Sequence, residues 1–186
     1  MTSIVDFEVR AGAIEQLLVI TVKQITDQRG TIREVFRRSA FESAGIGDLS
    51  AFVQINATES RRGVIRGMHA DQMTKLLTVV AGETFGAFVD LRPGSPTHGV
   101  VDTVDLRPGV QVLLPSGVAN GFQSLTDSSQ YLYCFDEEWQ PGMPGVGCTP
   151  LDPDLAIAWP LSIDVDDPAQ VSVKDRSAPT FEELRA

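Results

Sequence analysis

The chain of 186 residues is poor in cysteine, in basic residues and in long apolar runs, and each shortage excludes a class of protein. Its two cysteines, Cys134 and Cys148, lack the CxxC spacing of a metal or redox pair and are too few to staple a secreted scaffold. Two buried free thiols are expected. The apolar stretches are shorter than the roughly 18 to 20 residues that span a bilayer, and the first ten residues, MTSIVDFEVR, carry acids where a signal peptide needs a basic start and an apolar run. The expectation is a cytoplasmic protein with no membrane partner. With 15 Lys+Arg against 25 Asp+Glu, the formal net charge is −10, which argues against a surface that tracks nucleic-acid phosphates while leaving room for a few arginines around one small phosphorylated ligand. No low-complexity block, fixed-period repeat or internal boundary divides the sequence. A single domain over 1–186 is expected.

Strand signals dominate what is there. Leu17–Val22, Phe52–Asn56, Leu76–Ala81, Thr84–Leu91, Val110–Leu114 and Tyr131–Phe135 are short, rich in β-branched and aromatic residues, and bounded by turn formers. Such spacing predicts an all-β sandwich or barrel. Ala81–Glu83 reads as a hairpin turn, and the RPGSP and RPG segments starting at Arg92 and Arg107 punctuate the next connections. Helix is confined to a turn at Ser39–Ala44 and a short helix over Pro179–Ala186 begun by Thr180, with Glu182 and Glu183 near its positive end.

The segment Gly63–Gly82, GVIRGMHADQMTKLLTVVAG, resembles the first motif of the cupin superfamily, and Gly109, Pro115, Gly117 and Asn120 reproduce the spacing of the second. The resemblance implies a jelly-roll barrel of the double-stranded β-helix type with a few short helices. Cupins usually place metal ligands where this chain has His69, Asp71, Lys75 and Asn120. A lysine ammonium would repel a divalent ion, and of the four usual ligands only His69 keeps its identity. Neither a metal nor another cofactor is therefore expected. If the strand over residues 65–70 alternates regularly, His69 shares its inward face with Ile65 and Arg66 turns the other way. Taken alone, Lys75 reads as a surface charge at a strand end and Tyr133 as a core tyrosine.

Residues 52–99, from FVQINATESRRGVIRGMH through GETFGAFVDLRPGSPTHG, are similar to the dTDP-4-dehydrorhamnose 3,5-epimerases. The likeness begins with DQRGTIREVF (Asp27–Phe36), runs through VLLPSGVANGF (Val112–Phe122), YLYCFDEEWQP (Tyr131–Pro141) and LDPDLAIAWP (Leu151–Pro160), and ends at SVKDRSAP (Ser172–Pro179). It implies a cofactor-free isomerase that inverts C3, C5 or both beside the C4 ketone of a dTDP-4-keto-6-deoxyhexose. That chemistry needs a base, a donor for the developing enolate oxygen, and an acid on the opposite face. The resemblance assigns the base to His69, its carboxylate partner to Asp175, the cation beside the carbonyl oxygen to Lys75 and the acid to Tyr133. It assigns nucleotide and sugar binding to Arg29, Glu34, Gln54, Asn56, Arg66, Asn120 and Lys174, in a homodimer whose exchanged N-terminal strands bring Arg29 to the neighbouring site.

The departures are specific. Gly86 stands where the family has an aspartate, Asn120 for its histidine, Glu138 for a tyrosine and Pro144 for a glutamate. With the four catalytic positions intact, the sequence reads as an active epimerase of altered substrate or regiochemistry, the losses at Gly86 and Asn120 favouring one carbon over the other. Two other readings stay open: a non-catalytic sugar-nucleotide binder and a metal-dependent cupin enzyme. The last predicts stoichiometric zinc, iron or manganese needed for turnover. The cofactor-free reading predicts that prolonged chelation leaves turnover of a 4-keto sugar nucleotide unchanged.

Overall fold

The computed structural model describes residues 2–47 and 52–185. In chain order the elements are β1 (Ser3–Val5), β2 (Glu8–Ala11), β3 (Leu18–Thr21), β4 (Gln24–Asp27), β5 (Gly30–Arg33), α1 (Arg38–Ser43), β6 (Gln54–Ser60), β7 (Ile65–Asp71), β8 (Lys75–Ala81), β9 (Thr84–Asp90), β10 (Val101–Leu106), β11 (Val110–Leu114), β12 (Val118–Ser124), β13 (Ser129–Phe135), β14 (Gly145–Gly147), α2 (Val173–Arg176) and α3 (Phe181–Arg185). One sheet runs β2-β3-β11-β8-β13-β6 and a second runs β10-β9-β12-β7-β14, with β1-β4-β5 forming a small third sheet. Every ladder between these strands is antiparallel. This is the all-β jelly roll expected from the cupin spacing.

The core lies between the two large sheets. Leu77, Val79 and Tyr131 from one meet Phe88, Val104 and Phe122 from the other. Phe122 and Tyr131 stack across the gap with ring centroids 4.4 Å apart and planes within 10°, an arrangement that adds about 0.5–1.5 kcal/mol beyond the area it removes from water. A second cluster, including Met68, Ala87 and Ala119, covers the outer face of the five-stranded sheet beneath Leu155 and Trp159. A third, around Phe41 of α1 and Ile20, covers part of the other sheet. The small sheet is different: Ile4, Ile25 and Ile32 lie in cross-strand register at 60%, 38% and 70% exposure.

Three expectations need correction. Ala81–Glu83 is no hairpin turn: β8 pairs with β11 and β13, whereas β9 pairs with β10 and β12, so the chain crosses there from one sheet to the other. Gly82 takes φ +75°, and a Cβ on it would meet Thr126 Oγ1 at 2.4 Å, which leaves glycine as the residue that makes this crossing. Cys148 is buried as expected, but Cys134 is only half-buried; both are free. The regular alternation assumed for residues 65–70 fails, for the reason given with the site. Both helices foreseen at Ser39–Ala44 and Pro179–Ala186 form within about a residue or two, except that Ala186 lies outside the described residues. Thr180 and Glu183 cap α3 reciprocally, Thr180 N donating to Glu183 Oε2 at 2.7 Å and Glu183 N to Thr180 Oγ1 at 3.3 Å. No described helix is long and apolar enough to cross a membrane.

At the end of β9, Asp90 is wholly buried and accepts hydrogen bonds from Arg92 Nε (2.9 Å) and Nη2 (2.8 Å), Ser95 Oγ (2.6 Å) and Thr97 Oγ1 (2.6 Å). Arg92 in turn donates to Glu15 O and Gln16 Oε1, fastening the β9–β10 connection to the segment before β3. Burial opposes ionisation of Asp90, but Arg92 and the two hydroxyls outweigh it and hold the carboxyl well below its usual range. A depressed folded-state pKa gives stability that is complete above the unfolded value, about 4, and lost as pH falls toward the folded value. Asp90→Asn is therefore expected to cost about 3 kcal/mol at neutral pH. In denaturant melts from pH 6 to pH 2, its stability should also fall less steeply with acid than the parent's.

Candidate active site

The site opens between the two large sheets, and β7 supplies its nearest wall. Asn120 of β12 faces His69 and Phe122 faces Arg66, so three steps along β7 match two along β12: a bulge with one extra residue. At the bulge Gly67 has φ +122°, and a Cβ there would lie 2.5 Å from the Cα of Gly121. Only glycine permits that approach. The extra residue resets the alternation, so Arg66 and His69 face the same cleft, and Ile65 beside them forms a parallel bridge with Val171. The expectation that Arg66 turns away from His69 is thereby overturned.

Asp175 reaches His69 from α2. Ser172 caps this one-turn helix by accepting from Asp175 N at 3.1 Å, and the preceding segment is tied to β7 by Ile65 N donating to Gln170 O at 2.8 Å. The Asp175 carboxylate thus sits with Oδ1 2.8 Å from His69 Nε2. A carboxylate at that distance accepts a hydrogen bond from Nε2–H and leaves Nδ1 as the basic nitrogen. Burial opposes ionisation of Asp175, but the bond from His69, its charge when protonated, and donors at Ser172 and Gly67 prevail and lower the pKa. Asp175 therefore remains an anion that orients the imidazole.

Lys75, at the start of β8, is 3% exposed rather than a surface charge. Its Nζ lies 2.5 Å from Asp71 Oδ2 and donates to Asn120 Oδ1 at 2.8 Å, crossing from one sheet to the other. Tyr133 of β13 belongs to the same sheet as Lys75 and faces His69 from the opposing wall. Burial raises its phenol well above the usual range, only partly countered by Arg66, so Tyr133 holds its proton at neutral pH. The core tyrosine is instead Tyr131, two residues earlier.

Of the positions singled out in the sequence, His69, Lys75, Tyr133, Asp175, Asn56, Arg66, Asn120 and Lys174 line one cleft of about 500 Å³. Gln54 stands just outside it, donating to Asn56 Oδ1 at 3.0 Å and accepting from Trp139 N at 2.8 Å. Arg29 and Glu34 do not line it. Arg29 lies in the β4–β5 turn against Asp27 at 2.6 Å, and Glu34 pairs with Arg37. Gly86 is also elsewhere: a Cβ on it would meet Leu106 Cδ1 at 2.9 Å and Phe88 Cζ at 3.2 Å, so apolar core occupies the space that an aspartate side chain would need. Its reading as a lost substrate contact is corrected accordingly. Glu138 is exposed and outside the cleft, whereas its neighbour Trp139 lines an adjoining cleft of about 630 Å³ that shares His69, Asp71, Lys174 and Asp175. Sequence reasoning missed the roles of Asp71 and Ser172. The second had a signal, since serine three residues before aspartate is a helix N-cap pattern; the first was marked only by its cupin ligand position, which does not foretell the Asp71–Lys75 contact across a turn between strands of different sheets.

The residues do not suit a metal. The cupin ligand positions hold a lysine already paired with Asp71 and Asn120, and a histidine committed to Asp175; an ammonium at the centre of the donor set repels a cation.

A jelly-roll barrel whose cleft joins a carboxylate-backed imidazole, a buried ammonium and a protonated phenol defines an acid–base enzyme for carbon centres beside a carbonyl, of the cupin type without its metal set. The dTDP-4-dehydrorhamnose 3,5-epimerase family description matches residues 11–183, and the chain belongs to that family. The dTDP-4-dehydrorhamnose 3,5-epimerase of Streptomyces griseus is 34% identical over 167 residues, covering 87% of this chain and 80% of its own length. NovW, a 4-keto-6-deoxy sugar epimerase from the novobiocin biosynthetic gene cluster of Streptomyces spheroides, superposes with a TM-score of 0.86 at 33% identity, over 97% of this chain and 90% of that one. ChmJ, a 3'-monoepimerase from Streptomyces bikiniensis in complex with dTDP-quinovose, superposes with a TM-score of 0.83 at 32% identity, over 93% and 87%.

Proposed function

We propose that the chain is an isomerase that inverts a carbon beside the C4 ketone of a dTDP-4-keto-6-deoxyhexose by removing a proton on one face and returning one on the other. The observation that carries this reading is the placement of His69, backed by Asp175, and the protonated Tyr133 on opposing walls of one cleft. His69 takes the proton from the carbon, Lys75 and the amide it holds stabilise the enolate oxygen, and Tyr133 delivers a proton to the other face. Arg66 and Lys174 supply the charge for the diphosphate, with Asn56 beside them and Gln54 at the rim. No step calls for a cofactor, and a soluble nucleotide-sugar substrate suits a cytoplasmic enzyme.

Regiochemistry rests on Asn120. Its neutral amide offers no titratable group where the resemblance places a histidine, and its oxygen is already held by Lys75. Proton NMR of dTDP-4-keto-6-deoxyglucose in deuterium oxide should show exchange mainly at C3, and Asn120→His should raise exchange at C5. Comparable exchange at both carbons in the parent protein would indicate a double epimerase. His69→Asn should lower exchange at every carbon by about 10²–10⁴-fold. Tyr133→Phe should retain exchange while losing inverted product, because His69 can still remove and return a proton on its own face. A protein that binds the nucleotide sugar but exchanges no proton would be a binder instead.

The second part of the proposal concerns assembly. Arg29 and Glu34 sit away from their own cleft on the small sheet, whose Ile4, Ile25 and Ile32 form an apolar stripe open to solvent. A homodimer that exchanges these N-terminal strands covers the stripe and carries Arg29 and Glu34 to the neighbouring cleft. Ile32→Asp should shift the mass measured by light scattering from two chains toward one. A single-chain mass for the parent protein would remove the dimer.

A further inference from the structure

Lys75 is a charged group in a place hostile to charge. Leu114 of β11 and Phe135 of β13 are its ladder partners, and its side chain is almost entirely closed to solvent. Its neighbours from the remaining elements are few in kind: Asn120 of β12 is neutral, and the ionisable groups on the cleft walls are Arg66, His69 and Asp71 of β7, Tyr133 of β13, and Lys174 and Asp175 of α2. Arg66 and Lys174 disfavour a further positive charge. Tyr133 is uncharged, and Asp175 is engaged with His69. That leaves Asp71, whose Oδ2 touches Nζ at 2.5 Å, as the anion that directly faces the ammonium.

The placement of Asp71 is built rather than incidental. Its backbone oxygen accepts from Gly117 N at 3.0 Å, and it pairs in register with Gly145 of β14. A Cβ on Gly145 would come within 3.4 Å of Asp71 Oδ1, so the neighbouring strand leaves just enough room for the carboxylate. Asp71 is thus fixed from two sides at the end of β7, with one oxygen aimed at Lys75.

The geometry points to Asp71 as a positioning residue for the reaction: its carboxylate keeps Lys75 protonated and directs the ammonium across the barrel to Asn120, where the enolate oxygen forms. It acts through Lys75, not on the substrate. Burial lowers the pKa of Lys75 on balance, and Asp71 limits that fall. One consequence is an electrophile whose charge is present before substrate arrives, held by protein dipoles and needing no rearrangement as negative charge develops. A second is that Asn120, its oxygen taken by Nζ, turns its amide N–H groups toward the substrate.

The kinetic part of this inference rests on the epimerase reading; the charge state of Lys75 does not, and the test keeps the two apart. The chain has three lysines, Lys23, Lys75 and Lys174, so protein labelled with carbon-13 at lysine Cε gives three signals, and Lys75→Arg identifies the one that matters. In Asp71→Asn the Lys75 signal should titrate at least about one pH unit lower than in the parent, with Lys23 and Lys174 unmoved. The alkaline limb of kcat for solvent exchange should fall with it by the same amount, kcat at a pH on that limb dropping about tenfold while KM changes little. Asp71→Glu, which keeps the charge, should restore most of both, and Asp71→Ser serves as the neutral variant if asparagine prevents folding. A Lys75 titration that does not move overturns the proposal. So does a titration that moves while the alkaline limb stays, or a general loss of kcat with the limb unmoved. A parent protein with no exchange overturns the epimerase reading instead, and the shifted Lys75 signal then still supports the ion pair.

Discussion

The contact of Gly67 with Gly121 decides which way the side chains of β7 face. Two backbones approach there more closely than any Cβ permits, and the extra residue on β7 shifts the phase of the strand between Arg66 and His69. Without that shift, a strand of period two would send Arg66 outward whenever His69 faces in. The bulge puts a guanidinium and an imidazole three residues apart on one wall, while Met68 and Ala70 still fill the outer cluster. A single local irregularity thus serves both the cleft and the packing behind it.

The rest of the site is a matter of paired charge, with Lys75 and Asp175 buried and His69 open to the cleft. His69 is backed by Asp175, Lys75 by Asp71, and Tyr133 is kept neutral by burial. Each group is in a state fit for a different part of proton transfer at a carbon beside a ketone. In a chain of net charge −10, Arg66 and Lys174 also line the cleft, and a local cluster of cations sets the potential there more than the distant acids do, which is what the proposed diphosphate substrate requires. The two sheets contribute different groups. The five-stranded sheet carries His69 and Asn120, whereas the six-stranded sheet carries Lys75 and Tyr133, so the relative position of the sheets, held by the core beneath, fixes the distance over which a proton must be exchanged.

Much of this was legible in the sequence. The six strands read from β-branched and aromatic runs all form, although with shifted ends: five have a buried face and clear turn residues at their borders, while the mostly exposed β6 is held by its ladder to β13. Strands β1, β2, β4, β5 and β14 escaped notice: they are short and largely exposed, and owe their existence to pairing rather than to burial; β10, polar at alternate positions, escaped as well. β12 escaped for a different reason, since VANGFQS holds two small residues and an asparagine, yet its two neighbours bury it throughout. The cupin spacing indicated the barrel, and the order of motifs indicated the family, because residues that must meet in one cleft are constrained in type wherever they fall along the chain.

The sequence by itself determined the class of fold and the family, and through the resemblance it singled out His69, Tyr133 and Lys75 as the proposed base, acid and cation, since these depend on residue chemistry and on spacing between turns. Only the tertiary structure decided the rest. It placed Arg66 beside His69 through a bulge that no periodicity foretells, buried Lys75 against Asp71, and set Gly86 in apolar core instead of at the substrate. It also left Arg29 and Glu34 outside the cleft of their own chain. Each of these outcomes is a contact between segments distant in sequence or on different sheets, and the free energy of such a contact depends on the geometry of both partners, which neither segment encodes alone.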